Sequence, residues 1–176
     1  SIAITIDYGQ RPAGAEISAA SAACEALDTV HKVVKVDISQ IGSGDLAGTP
    51  ALDIARVPEW WPFRNQFLLT VGGMVSVVNG LEELLLGCVR SDDQHVDGAP
   101  EFVNKISDVM QMQEGGLMVR APGIKMNSSD MIRVSEVPYD VLMWAHSCHV
   151  AEVACGVCRG CLKHYETMEE LQVGAY

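Results

Sequence analysis

The feature that most constrains this chain is a cluster of four cysteines among fourteen residues, in the spacing C-x6-C-x2-C-x2-C. Thiolates separated by two residues can converge on one ion from a tight turn, and Gly156 and Gly160 allow the backbone to curl around such an ion. A tetrahedral metal site needs four ligands of this kind. The spacing therefore predicts a zinc site formed by Cys148, Cys155, Cys158 and Cys161.

Two alternatives to a four-cysteine zinc site remain open in the sequence. The cysteines of an oxidised protein can pair as disulfides, and an imidazole from His146, His149 or His164 can replace one of the sulfurs. The four cysteines are the favoured ligands. The other two cysteines, Cys24 and Cys88, stand alone in helical or apolar surroundings and are predicted to be small buried hydrophobic residues.

Composition limits the classes of protein to which the chain can belong. Its 176 residues, 48% of them hydrophobic, can bury one sizeable core, so we expect an α/β domain over residues 1–145 and a zinc knuckle with a C-terminal helix over 146–176. The net charge of −11 would repel a phosphate backbone, which argues against a nucleic-acid duplex as partner. No apolar run approaches the roughly 20 residues that span a bilayer. A protein of the cytoplasm, without a membrane partner, is expected.

The hydrophobic patterns predict an α/β fold. Ser1–Asp7 is a β-branched run typical of a buried strand, the alanine-rich segment Glu16–Leu27 predicts a helix, and Lys32–Ile38 predicts a second strand parallel to the first. Helix is expected again after Cys161. Further elements are predicted as a long loop over 39–61, strands over 82–89 and 117–121, and helices over 65–79, 100–112 and 128–135. This alternation predicts a Rossmann-like parallel sheet with helices on both faces.

Polar side chains follow the first strand, at Asp7, Gln10 and Arg11. Open α/β sheets bind ligands at the carboxyl ends of their strands, so these three are candidate nucleotide- or substrate-binding residues. An ordinary turn with a solvated arginine would also explain them.

Two later segments carry the remaining candidate residues. Arg64 and Asn65 follow three aromatic residues at a predicted helix start, where they can hold an anion beside a planar ring. A hydrophobic staple with a surface arginine is the alternative. Asp97 lies in an acidic and histidine-containing stretch after the third strand, suited to a metal ion or to the hydrogen-bonding edge of a base, although a solvated turn fits equally.

Taken together and in order, these motifs resemble the 7-cyano-7-deazaguanine synthases, the QueC family. The matching segments are Asp7-Tyr8-Gly9-Gln10-Arg11, Phe63-Arg64-Asn65, Asp97 ahead of Pro100-Glu101-Phe102, and Ser147-Cys148 with Cys155, Cys158 and Cys161. The resemblance implies an ATP-pyrophosphatase fold, zinc, and conversion of 7-carboxy-7-deazaguanine and ammonia to the nitrile with ATP cleavage. In that family the acid is adenylated and converted to an amide, which is adenylated again and dehydrated.

Three departures from the family pattern affect what the resemblance implies. The phosphate-binding Ser-Gly-Gly-x-Asp-Ser loop does not occur in these residues, Pro12 replaces a histidine, and Ser128-Ser129-Asp130 replaces a Ser-Lys pair. We therefore expect either a chain that lacks its first strand and phosphate loop, with ATP and Mg²⁺ bound once that loop is supplied, or a diverged relative. The diverged relative would be a QueC-like zinc protein that binds a nucleobase or a protein partner, as in bacterial antiviral operons. A 7-deazaguanine-type nucleobase is the expected ligand, and a homodimer is possible.

Overall fold

Strands and helices alternate along most of the chain, as the sequence predicts. The structure is a computed structural model, and it describes residues 1–92 and 95–174. In chain order the elements are β1 (Ile2–Asp7), α1 (Ala13–Ala26), β2 (Val30–Lys35), α2 (Gly44–Ala47), α3 (Arg64–Val78), β3 (Glu83–Leu85), α4 (Pro100–Gln111), β4 (Met118–Arg120), α5 (Ser128–Ser135), α6 (Tyr139–Leu142) and α7 (Arg159–Leu171). The predicted α/β class, with parallel strands flanked by helices, is confirmed.

The chain divides into two compact units. The first unit combines Ser1–Pro62 with Ile132–Tyr176, and the second is Phe63–Met131. Each unit has its own pair of parallel strands, β1 with β2 and β3 with β4. No helix among the described residues has both the length and the apolar character needed to cross a membrane.

In the first unit, β1 and β2 pair in parallel from Ile2 opposite Val30 to Asp7 opposite Lys35. All six residues of β1 are half-buried, whereas the sequence predicted a fully buried strand. The difference follows from the pairing, since β2 is the only ladder partner of β1 within the described ranges. The β-branched residues of β1 favour the extended conformation even in this half-buried setting.

The segment 39–61, predicted to be a long loop, contains two short helical turns and is closed on itself by hydrogen bonds. A 3₁₀ turn over Ser39–Ile41 and the four-residue helix α2 interrupt it. The amide of Asp45 donates to the carbonyl of Pro58 over 2.9 Å, and the Ser43 hydroxyl donates to the carbonyl of Trp60 over 2.8 Å. These bonds hold the two ends of the segment together; the sequence pattern missed them because they join residues more than ten positions apart.

The core of the second unit forms between α3, α4 and β4. Its buried members are Leu69, Val103, Ile106 and Val119. The strand β3 covers three residues, not the eight predicted, and Leu85 is 64% exposed. Side chains alternate between the two faces of a strand, so a continuous leucine run places every second leucine outward when only one face is covered.

Candidate metal centre and strand-end residues

The four predicted cysteines converge. Their sulfur atoms all lie within 4.8 Å of one another. The sulfurs of Cys155 and Cys161 are 3.9 Å apart, and those of Cys148 and Cys158 are 4.0 Å apart. A tetrahedron of sulfurs at the usual zinc–sulfur distance of about 2.3 Å has edges of about 3.8 Å, so the spacing fits zinc. Disulfide sulfurs would be about 2 Å apart, and all four cysteines are free thiols.

Backbone amides shape the cluster. The amide of Cys158 donates to the sulfur of Cys155 over 3.4 Å, and the amides of His149 and Cys161 donate to the sulfur of Cys158 over 3.4 and 3.5 Å. The sulfur of Cys158 thereby caps α7, which begins at Arg159. The prediction that helix resumes only after Cys161 was therefore wrong: the cap starts the helix one turn earlier and places Cys161 inside it.

Two of the thiols differ in acidity because their surroundings differ. Hydrogen bonds from the amides of Val157 and Cys158 lower the pKa of Cys155 to about 6. Burial raises the pKa of Cys161 to about 12. A thiolate forms readily at Cys155, whereas the fully buried Cys161 resists ionisation unless a positive charge lies beside it. A divalent cation supplies that charge, since coordination to a metal deprotonates a thiol.

His146, His149 and His164, the alternatives to a sulfur ligand, lie outside the cluster. Among the described residues, the group able to hold a metal contains cysteines only. His146 Nε2 is 3.1 Å from the carbonyl oxygen of Ala151. His164 lies on α7, and burial lowers its pKa. The candidate donor set is therefore four sulfurs. A zinc ion held by four thiolates would have no open position for a substrate, which is typical of structural sites.

Close packing around Gly160 brings the start of α7 against the loop that carries Cys148. A Cβ atom added to Gly160 would overlap the carbonyl oxygen of Ser147 and would lie 2.8 Å from His149 Nε2. Glycine allows this approach, and a side chain at position 160 would push the loop that carries Cys148 away from α7.

At the end of β1, the three predicted residues have different surroundings. Gln10 is only 3% exposed: its side-chain oxygen accepts from the Tyr8 amide, and its nitrogen donates to the Ile6 carbonyl and the Glu16 carboxylate. These bonds join β1 to α1, which gives Gln10 a structural task. Asp7 accepts from the Gly9 amide and pairs with Lys35 at 3.5 Å, and the Arg11 side chain is exposed.

Arg64, Asn65 and Asp97 all belong to the second unit. Arg64 is the first residue of α3 and is half-buried, and its Nε donates to the side-chain oxygen of Asn65 over 3.2 Å. Asp97 is half-buried in a 3₁₀ turn, Val96–Gly98, directly before α4. The binding roles of these residues stay predictions, as do those of Asp7, Gln10 and Arg11.

The aromatic residues ahead of Arg64 do not form one exposed platform. Trp61 is 3% exposed and packs edge-on against Tyr8, with ring centroids 5.0 Å apart. Phe63 is 77% exposed. Trp61 therefore serves the packing of the first unit and is not available to stack on a ligand ring.

Three further residues near the cysteine cluster were missed by the sequence reasoning. Arg159 lies between two of the ligands and pairs through Nε with the carboxylate of Glu59 at 3.3 Å, and Glu59 is 4% exposed. The carboxylate of Glu152 accepts from the amide of Gly14, in the first turn of α1, over 3.2 Å. Only the placement of Arg159 between two ligand cysteines is visible in the sequence.

Comparison with known proteins supports the family resemblance. The family model described as "Queuosine biosynthesis protein QueC" matches residues 1–172. A 7-cyano-7-deazaguanine synthase of Methanospirillum hungatei is 27% identical over 191 residues, covering 98% of this chain and 84% of the relative. Synthases of Acidobacterium capsulatum and Campylobacter fetus are 28% and 26% identical, covering 96% and 98% of this chain and 81% and 82% of the relatives.

Proposed function

Because this chain belongs to the QueC family, we propose that it serves the 7-cyano-7-deazaguanine synthase reaction and binds 7-carboxy-7-deazaguanine. The observation that carries the proposal is the family match, which runs from residue 1 to residue 172 and includes the four-cysteine cluster. The relatives named above, all called 7-cyano-7-deazaguanine synthase, support the same reaction. Zinc is the proposed metal, held by the four cysteines as a structural ion.

The chemistry of the ligand assigns tasks to the residues of the second unit. The carboxylate of the base needs a cation, and Arg64 offers one at the first residue of the 15-residue helix α3, where the helix dipole also favours an anion. The amino and ring N–H groups need an acceptor, which the half-buried Asp97 offers. Asn65 orients the Arg64 guanidinium through their hydrogen bond.

At the end of β1, Asp7 and Arg11 are proposed to contact the nucleotide or the base. The Arg11 guanidinium is exposed and can pair with a phosphate. Gln10 is proposed to act indirectly, by fixing the turn between β1 and α1 with its three hydrogen bonds.

ATP and Mg²⁺ are the proposed cofactors of the full reaction. The 176 residues of this chain contain no Ser-Gly-Gly-x-Asp-Ser loop, so base binding and zinc binding are the tasks proposed for them. Cleavage of ATP is proposed once such a loop is supplied. A cytoplasmic location and a homodimer stay predictions, and the second can be tested by light scattering on the purified protein.

Calorimetric titration with 7-carboxy-7-deazaguanine tests the base-binding proposal. Each of the single substitutions Arg64→Ala and Asp97→Asn should weaken the binding free energy by about 1 to 3 kcal/mol. This is the usual cost of losing a hydrogen bond to a buried or charged group. Matched controls from the same unit are Arg120→Ala and Asp108→Asn, both at exposed positions. Equal affinity in all five proteins would refute the assignment of these two residues.

A second experiment separates the synthase from a diverged zinc protein that only binds its ligand. The chain is joined to an N-terminal strand and Ser-Gly-Gly-x-Asp-Ser loop from a family member and supplied with ATP, Mg²⁺, ammonia and the base. Release of pyrophosphate supports the synthase. A fusion that binds the base but releases no pyrophosphate above a heat-killed control contradicts it and favours the diverged protein.

A further inference from the structure

We propose that Arg159 and Glu59 are positioning residues that connect the metal centre to the end of β1. The inference rests on the metal site of the proposed function, but not on the base or on ATP. All of the residues concerned lie in the first unit. Through their ion pair, binding of an ion by the four cysteines keeps the segment 39–61 closed and keeps Trp61 packed against Tyr8.

The first step is the fixed position of Arg159. It lies between the ligands Cys158 and Cys161 and is the first residue of α7, which the sulfur of Cys158 caps. When both neighbouring cysteines bind one ion, the backbone of Arg159 can no longer move independently of that ion. Without an ion, the sulfurs are held by weaker hydrogen bonds from backbone amides and between thiols, so the start of α7 is less constrained.

The second step is the burial of Glu59. Its side chain is 4% exposed, and its carboxylate lies 3.3 Å from the Nε atom of Arg159, whose side chain is 41% exposed. A carboxylate removed from water is destabilising unless a cation compensates its charge. Displacement of Arg159 therefore favours movement of Glu59, and the backbone that carries it, toward solvent.

The third step leads from Glu59 to the strand end. The carbonyls on either side of Glu59, those of Pro58 and Trp60, accept the hydrogen bonds that close the segment. The next residue, Trp61, packs against Tyr8, which follows β1 directly. The amide of Arg11 also donates to the carbonyl of Leu46 in the same segment, over 2.8 Å. Opening at Glu59 therefore loosens the residues around the end of β1.

A second link runs in parallel. Glu152 belongs to the loop between the first two ligand cysteines, and it accepts from the amide of Gly14 in α1. A Cβ atom at Gly14 would lie 2.8 Å from that carboxylate, so the two segments are in direct contact. Residues between the four cysteines thus contact two places: Arg159 contacts Glu59, and Glu152 contacts the start of α1.

The test uses Trp61 as a reporter. The chain has three tryptophans, and the double substitution Trp60→Phe and Trp144→Phe leaves Trp61 alone. In the zinc-loaded parent, Trp61 should be shielded from acrylamide; chelation should raise its quenching and shift its emission to longer wavelength. Arg159→Gln should show the raised quenching while still loaded, and should release zinc to a chelator about tenfold faster, the lower end of the usual effect of losing a group that supports metal ligands.

Three further variants complete the design. Arg159→Lys keeps the positive charge and should recover most of the shielding, and Glu59→Gln removes the buried charge at constant size and should also release zinc faster. Arg133→Gln is the control, because Arg133 is an exposed arginine of the same unit that donates to the Glu170 carbonyl.

The proposal is overturned if loaded Arg159→Gln and Glu59→Gln match this control in quenching and in zinc release. It is overturned as well if chelation leaves Trp61 unchanged in the parent. Neither readout involves the base, so a failed turnover assay leaves both results valid.

Discussion

Gly160→Ala should destabilise the protein although alanine is the better helix former. In an open helix position the change would stabilise by at most about 1 kcal/mol. At Gly160 the new Cβ would overlap the carbonyl oxygen of Ser147 and lie 2.8 and 2.9 Å from two atoms of the His149 ring. Overpacking of this kind costs about 1 to 3 kcal/mol, and a clash with backbone belongs at the upper end because the backbone cannot rotate away. The net loss is about 2 kcal/mol.

Thermal unfolding of the zinc-loaded protein measures this loss. For a chain of this size, 1 kcal/mol corresponds to about 2 to 4 °C, so the midpoint should fall by roughly 4 to 8 °C. Zinc content should fall with it, since Ser147 precedes the ligand Cys148. Gly87→Ala is the matched control: nothing lies within 4 Å of its added Cβ, and its midpoint should change little. An unchanged or raised midpoint in Gly160→Ala, with full zinc content, would refute the packing argument.

Three other predictions concern the metal, the second unit and turnover. Cys158→Ser removes one sulfur and the cap of α7, so the zinc content measured by metal analysis should fall below about one zinc per chain. The free energy of unfolding should fall as well, because structural zinc contributes on the order of 10 kcal/mol in small modules. An undiminished zinc content would contradict this prediction. Ser107→Ala removes the hydroxyl that accepts a 3.0 Å hydrogen bond from the buried amide of Val119. Denaturant unfolding should show that the free energy of unfolding falls by about 1 to 3 kcal/mol. The control Ser135→Ala, at an exposed position, should change it little. The chain of 176 residues should release no pyrophosphate when it is supplied with ATP, ammonia and the base. Release above a heat-killed control would mean that another turn holds the phosphates.

Local signals in the sequence predicted the order of the elements and the convergence of the four cysteines. The run of β-branched residues gave β1 within one residue of its observed start, and the spacing of four cysteines gave a cluster whose sulfurs do meet. Cys24 and Cys88 are buried, as their surroundings suggested. Each of these features depends on neighbours within a few positions, which is what a periodic pattern records.

Features that depend on distant partners were missed. Nothing near Glu59 in the sequence indicates burial, but its side chain is buried beside Arg159, which lies 100 positions later. The hydrogen bonds of Gln10 to Ile6, Tyr8 and Glu16 were missed for another reason: they are local, but the residue type does not show which neighbours it will bond, and its binding role stays a prediction. Trp61 is one of the three aromatic residues predicted to stand beside a ligand ring, but it packs on Tyr8, more than 50 positions earlier. A residue type alone does not tell whether a polar or aromatic side chain faces a ligand or another part of the chain.

Titration of the zinc-loaded chain with 7-carboxy-7-deazaguanine tests the proposed function most directly. Saturable binding of one base per chain is predicted. A loaded protein that shows no saturable binding of the base would contradict the proposed function.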